Sequence, residues 1–253
     1  MNDDCSLNPS EAVATDVSMS HGTPHRGGAP IPAYLRETYW WAYLHPRGVR
    51  VFERDWLVNL ILWGTIHRLT RAVLDEIGTA PGLSVLQMAC VYGRFSERLA
   101  GQLAASGGRL EMLDIAPIQL ANARRKLKGR RNVRYHRMDA SRLSLPSESY
   151  DATVLFFLLH EQPDAVRRRT LEQAIRVTRP GGKVIVVDYH GPSRFNPMRY
   201  LMHPVLNWLE PYALDLWRHP LKAFLPRGSE PSDTATRLYF GSLYQKTVLR
   251  IPG

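Results

Sequence analysis

Two cysteines in 253 residues, Cys5 and Cys90, give no basis for a disulfide framework, because one falls in a polar leading stretch and the other in an apolar run. A reducing compartment is expected. No uninterrupted apolar run reaches the roughly 18 to 20 residues of a bilayer-crossing helix. The leading residues carry Asp3, Asp4 and Glu11 and lack the apolar centre of a secretory signal and the arginine pattern of a transit peptide. A cytoplasmic protein is expected, held peripherally at the inner membrane if at all. Acidic side chains are also scarce: 23 Asp and Glu stand against 33 Lys and Arg, a net charge of +10, which points to an acidic neighbour such as anionic lipid or nucleic acid.

Residues 1–30 have no apolar period and read as a disordered tail; His21 and His25 there have no third ligand nearby to make a metal site. Residues 31–79 are aromatic-rich and helical in pattern. Tyr34, Tyr39, Trp40, Trp41, Tyr43 and His45 crowd the first part, fit for a pocket wall, a membrane interface or packing on the domain. Val51 to Ile77 reads as an amphipathic helix or helix pair broken at Gly64.

Glycine is missing where it is most expected. Ser84 to Met88 is a short apolar run, and Phe95, Leu99 and Leu103 continue at helical spacing, the outline of a buried strand turning into a helix that faces a polar ligand with its free N–H groups. Gly93 is the turn's only glycine. Ala89, Val91 and Tyr92 place side chains where such turns favour hydrogen atoms.

Strand and helix alternate after this turn. Strands are expected over 110–113, 133–138, 153–158 and 184–187, with helices over 95–105, from Pro117, and over 165–177 before Pro180-Gly181-Gly182. The pattern predicts a doubly wound, mostly parallel α/β sheet over 80–253 with helical additions, closed by an antiparallel last strand near Thr236–Arg250. The ligand crevice falls at the carboxyl ends of the strands. An insertion over 191–227 alternates Phe195, Trp208 and Trp217 with Arg194, Arg199 and Arg218, suited either to a membrane interface or to a helical cap.

The candidate site residues all fall at strand ends. Asp114 lies 21 residues after Gly93, the spacing at which an acidic residue accepts hydrogen bonds from ribose hydroxyls. Asp139, followed by Ala140, suits an exocyclic amine or a helix cap. His160-Glu161 and Asp188-Tyr189-His190 end neighbouring strands and are candidates for acid/base groups or for ligands of a divalent ion.

Val85-Leu86 leading to Gly93, Leu113-Asp114-Ile115, Met138-Asp139-Ala140, Tyr150-Asp151-Ala152 and Arg176 to Gly182 together resemble the class I S-adenosylmethionine-dependent methyltransferases, and within them the quinone-pathway branch. Gln87 stands where that superfamily expects an acid, and Ala89 and Val91 stand where it expects glycines. With the Val91-Tyr92-Gly93 turn and the aromatic segment before Pro46, the chain resembles the RquA family of rhodoquinone biosynthesis. The resemblance implies conversion of ubiquinone to rhodoquinone, in support of anaerobic respiration, by replacing a ring methoxy group with an amine, S-adenosylmethionine being the amino donor and manganese an assisting ion. It further implies a donor site of Gln87, Ala89, Val91, Tyr92, Gly93, Asp114, Ile115, Asp139 and Ala140, with Tyr92, His160 and Asp188 as catalytic candidates; the metal ligands are not indicated. Competing expectations are conventional quinone methylation and a non-catalytic quinone-binding accessory protein. Nucleic acid is the weaker partner, because the apolar insertion suits a greasy substrate such as ubiquinone.

Overall fold

The structure, a computed structural model, describes residues 30–226, 228 and 231–253. The tail expected over 1–30, apart from Pro30, lies outside these residues with Cys5, His21 and His25.

The domain begins at β1 (Ser84–Met88), buried at every position. It is followed by α5 (Phe95–Ala105), β2 (Arg109–Asp114), α6 (Pro117–Lys126), β3 (Val133–Arg137), β4 (Tyr150–Phe156), α7 (Asp164–Val177) and β5 (Thr178–Tyr189). A hairpin, β6 (Asp233–Tyr239) and β7 (Tyr244–Arg250), completes a seven-stranded sheet of order β3-β2-β1-β4-β5-β7-β6. The first five strands pair in parallel, and β7 runs antiparallel to both β5 and β6. β1 thus sits between β2 and β4, where the order of the strands reverses and a crevice opens at their carboxyl ends.

Alternation along each strand feeds two apolar layers. Val85, Met112, Val154 and Ile185 face α4 (Ile66–Ile77) and α5, whereas Leu86, Leu113, Leu155 and Val186 face α7. In α4 the buried positions Ile66, Leu69, Thr70, Val73 and Ile77 recur every three or four residues, which places one face on the sheet. Lys183 Nζ and Lys246 Nζ reach Glu76 at the end of α4 (3.3 and 2.9 Å) and tie that helix to β5 and β7.

The strand boundaries differ from the sequence expectation at three places. β3 stops at Arg137, one residue early. β4 begins at Tyr150 and ends at Phe156, because Phe157 takes φ +55° and turns the chain out of the sheet. Pro180-Gly181-Gly182 does not stop α7. The helix has already ended at Val177, and the Pro-Gly-Gly run forms an irregular start to β5 with Gly181 at φ +73°.

The aromatic leader forms α1 (Ala33–Thr38), a π-helical turn over Trp40–Leu44, α2 (Pro46–Phe52) and α3 (Asp55–Ile61) before α4. His45 caps α2, its Nδ1 accepting from Arg47 N at 3.3 Å, with Pro46 in the first turn. The break expected at Gly64 is present: Trp63 and Gly64 have φ +52° and +75° between α3 and α4. The 191–227 insertion is helical, with α8 (Met198–Leu209), α9 (Ala213–Arg218) and a 3-10 turn over Leu221–Phe224.

Candidate functional site

Two cavities share a wall at the switch point. The first lies over the carboxyl ends of β1, β2 and β3, against Ala89, Asp114, Ile115, Asp139 and Ala140, and is covered by Tyr34 and Tyr43 of the aromatic leader. The second is an aromatic chamber between Trp41, Phe52, Tyr92 and Phe156, with Val58 and Ile61 of α3 on one side and His160, Glu161 and Glu210 at its polar end. Tyr43, Cys90, Phe157 and Glu161 belong to both. A group transferred from one ligand to another has to cross at that shared wall.

Asp114 serves the turn as well as the cavity. Its Oδ2 accepts from Cys90 N at 2.9 Å and its Oδ1 from Ala116 N at 2.8 Å. Burial opposes its ionisation more strongly than these bonds favour it, and its pKa is raised to about 6. Asp139 Oδ1 accepts from Ser141 N and Ser141 Oγ, both at 2.8 Å, so it caps its own loop while lining the first cavity.

Backbone strain marks the two strand ends beside the switch point. Ala89 after β1 has φ +71° and Phe157 after β4 has φ +55°, the left-handed region that L-residues with side chains avoid. The first motif therefore keeps the glycine conformation at Ala89 without the glycine.

Gln87, Val91, Tyr92 and Gly93 are not where a donor-wall reading puts them. Gln87 is fully buried within β1, and its Nε2 donates to Ala89 O at 3.0 Å. Val91 and Tyr92 line the aromatic chamber. Gly93, at φ +74°, faces Asp55 and Val58 of α3, and its carbonyl accepts from Lys126 Nζ at 2.6 Å. Nor does Tyr92 aim its hydroxyl at the first cavity. The hydroxyl donates to Ala42 O at 2.5 Å and accepts from Gln119 Nε2 at 2.7 Å, while the ring stacks on Tyr43 and Phe52 with centroids 5.7 and 5.9 Å away. It latches the leader onto the turn.

His160 and Asp188 do converge. Asp188, wholly buried, meets His160 Nδ1 at 2.9 Å and accepts from the backbone N–H groups of Leu159, His160 and Tyr189. Burial disfavours the imidazolium, but Asp188 first, then Glu210 and Glu161, outweigh it and raise the pKa of His160 to about 9. Burial likewise raises Glu161, to about 8, against the attraction of His160, and pushes Glu210 upward. His190 turns away, its Nδ1 on Ser242 O at 2.9 Å.

Sequence reasoning missed Glu210, which the insertion delivers from 49 or more residues beyond the His160-Glu161 pair, and Arg167 beneath it. Arg167 is fully buried. It donates to the carbonyls of Leu159 (2.9 Å), Gln162 (3.0 Å) and Tyr212 (2.8 Å), so one guanidinium joins the loop bearing His160 and Glu161 to the segment after Glu210. The i+4 and i+7 apolar neighbours of Arg167 on α7, Leu171 and Ala174, gave no hint that a charge lies among them.

A profile for the methyltransferase domain matches residues 85–182. That stretch resembles the methyltransferase domain family. The demethylmenaquinone methyltransferase of Renibacterium salmoninarum is 30% identical over 56% of this chain and 55% of its own length. The ubiquinone/menaquinone biosynthesis C-methyltransferase UbiE of Hahella chejuensis is 29% identical over 70% of this chain and 69% of its own length. The chain spans about half the length of the first relatives it matches. Among solved structures, the N-methyltransferase NodS of Bradyrhizobium japonicum superposes with TM-score 0.54 at 15% identity, covering 74% of this chain and 97% of NodS. The PH0226 protein of Pyrococcus horikoshii gives 0.54 at 17%, covering 88% of this chain and all of that one (100%). At such identities the structures support the fold alone. In the methyltransferase domain the matched segment ends before β5 is complete, so Asp188, Glu210 and the leader lie outside it.

Two implied ligands are tested against these residues. The first cavity fits the nucleoside part of S-adenosylmethionine: it has carboxylates at the ends of β2 and β3 and apolar walls from Ile115, Met138 and Leu158. Manganese is less well served. Among the described residues no three His, Cys, Asp or Glu side chains stand at ligand spacing, and no step is derived through a metal here.

Proposed function

We propose that the chain is an S-adenosylmethionine-dependent transferase that modifies the ring of an isoprenoid quinone. The shared wall of Tyr43, Cys90, Phe157 and Glu161 between a cavity lined by Asp114 and Asp139 and an aromatic chamber carries this reading. Bound in the first cavity, S-adenosylmethionine supplies an electrophilic methyl group or an α-amine. Ring carbon methylation is the chemistry that the names of the quinone-pathway relatives support.

The chain's own residues supply the surroundings. Stacked Tyr43, Tyr92 and Phe52 present flat faces to a planar ring and exclude water. Asp188 orients His160 through Nδ1. With its pKa near 9, His160 is cationic at neutral pH and donates from Nε2 to a ring oxygen, the reverse of the general-base role. Glu161, at the shared wall, is the nearest group to take or return a proton where the cavities meet.

Amine transfer, giving rhodoquinone from ubiquinone, is the second reading. It is favoured by Ala89, which lines the first cavity where the motif expects a glycine and so alters the seat of the donor's methionine part. A single incubation separates the two. The purified protein is given polyprenyl quinone, reduced or oxidised, with donor labelled by carbon-13 in the methyl and nitrogen-15 in the α-amine, and the quinone is analysed by mass spectrometry. Carbon-13 in the product establishes methylation, and nitrogen-15 establishes amination. An unlabelled quinone despite bound donor overturns both and leaves an accessory role.

A further inference from the structure

The polar end of the aromatic chamber holds hydrogen-bonding capacity that its neighbours only partly use. His160, only 5% exposed, has Nδ1 committed to Asp188, but Nε2 makes no hydrogen bond. The carboxylates beside it are Glu161, with Oε1 at 3.8 Å, and Glu210, with Oε2 at 3.9 Å. Glu210 Oε2 and the hydroxyl of Tyr39 face each other, buried and without a hydrogen bond of good geometry, and the hydroxyl of Tyr43 interacts with Glu161. Separations near 3.8 Å are too long for direct hydrogen bonds, and they leave the three groups able to converge on one oxygen atom seated to one side of them.

The chemistry of the three groups selects the kind of oxygen. A cationic His160 offers a hydrogen at Nε2, Glu161, with its pKa raised to about 8, keeps a proton to donate at neutral pH, and an ionised Glu210 offers only lone pairs. A hydroxyl answers both, because it accepts from the imidazolium and donates to a carboxylate. An ether or carbonyl oxygen accepts from His160 but turns its lone pairs on an ionised Glu210 and leaves it unpaired. Sites built to bond a hydroxyl discriminate strongly against analogues without one for this reason.

We propose that His160, Glu161 and Glu210 form a seat for a ring hydroxyl of the acceptor, and that Glu210, carried in by the insertion, determines specificity for a hydroxyl over an ether or carbonyl at that point. This rests on the reading that the chamber receives an aromatic ring. The insertion then has a role in the site beyond covering the sheet, and Arg167 is the positioning residue that keeps Glu210 in register with the His160 loop through the carbonyls of Leu159, Gln162 and Tyr212.

The test needs no turnover. The full chain is titrated by calorimetry with 2-naphthol and with 2-methoxynaphthalene, which differ only in the hydroxyl hydrogen. Naphthol should bind at least about tenfold more tightly to the wild type. Glu210→Gln should erase that preference while keeping the affinity for the ether, which reports that the chamber is intact. Equal affinities in the wild type overturn the hydroxyl seat and leave the ring reading standing. Failure of both probes to bind overturns the ring reading and the seat together. Manganese chloride alone is added to the same proteins and followed by electron paramagnetic resonance. Binding that Glu210→Gln abolishes and naphthol displaces would assign the three groups to a cation and overturn the seat.

Discussion

Ala89 is the clearest local test of the altered turn. At φ +71° its Cβ is strained, and it also projects into the first cavity. Ala89→Gly should stabilise the fold by about 1 kcal/mol, since the relief of a left-handed L-residue outweighs the added freedom of the unfolded chain. A higher denaturation midpoint at unchanged slope would show it; a lower midpoint would mean that the Cβ makes contacts worth more than the strain. The titratable residues make a second prediction. Asp114, Glu161 and His160 all have raised folded-state pKa values, about 6, 8 and 9. The folded chain therefore holds more protons than the unfolded one, and stability falls as pH rises. For the carboxyls, the burial penalty appears as pH climbs from their ordinary range to 6 and 8. For His160, the stabilising pairing is complete below its ordinary value and is lost as pH passes about 9. Melting temperature should decline from about pH 5 to about pH 9, less steeply in Glu161→Gln. A rise over that interval would contradict the assignment.

At the scale of elements, the leader is joined to the domain through Tyr92. Tyr92→Phe deletes the bonds to Ala42 O and Gln119 while keeping the stack on Tyr43 and Phe52. It should cost about 1 to 2 kcal/mol and speed amide exchange across α1 and the π-helical turn, with β1 unaffected. A change in donor affinity with exchange unchanged would restore the view that the tyrosine acts on the donor directly. These contacts also show what a sequence conveys. β1, α5, α7 and the parallel run of the strands were legible because period and turn chemistry are local signals, and Asp114, Asp139, His160 and Asp188 were legible as strand ends. The orientation of Tyr92 was not. Its partners lie 50 residues upstream and 27 downstream, and nothing in Val91-Tyr92-Gly93 says which way the ring turns. Glu210 and Arg167 were hidden for a similar reason, since their meaning comes from where an insertion folds back.

For the whole molecule, charge and exposed apolar surface converge on one end. Among the described residues no helix is long and apolar enough to cross a membrane. Yet Trp56 and Leu60 on α3 are each 61% exposed, and Phe195 and Trp208 are 79% and 82% exposed. The two groups meet at the β6–β7 turn: Phe240 shares a shallow groove with Trp56, Leu60 and Trp63, and Asn196 Nδ2 donates to the carbonyls of Phe240 and Gly241, both at 3.1 Å. The opposite face of α3 supplies Val58 and Ile61 to the aromatic chamber, so the greasy surface is the outside of the chamber wall. Arg194 lies 4.7 Å over the Phe195 ring, and Arg68 and Arg237 lie over Tyr239 at 5.5 and 5.6 Å, cations placed beside the apolar rim. A water-insoluble polyprenyl substrate reaches the chamber by the shortest route if this end rests on a bilayer, its rings among the acyl chains and its arginines on lipid phosphates. The chain should therefore sediment with anionic vesicles at low ionic strength and less with zwitterionic ones, and salt should weaken the former. Trp208→Glu and Trp56→Glu should each lower partitioning by about tenfold or more, because each withdraws a buried indole worth about 1.5 to 3 kcal/mol and adds a charge that anionic lipid repels. If both variants partition like the wild type, the patch does not face lipid, and the quinone must enter from another side of the leader.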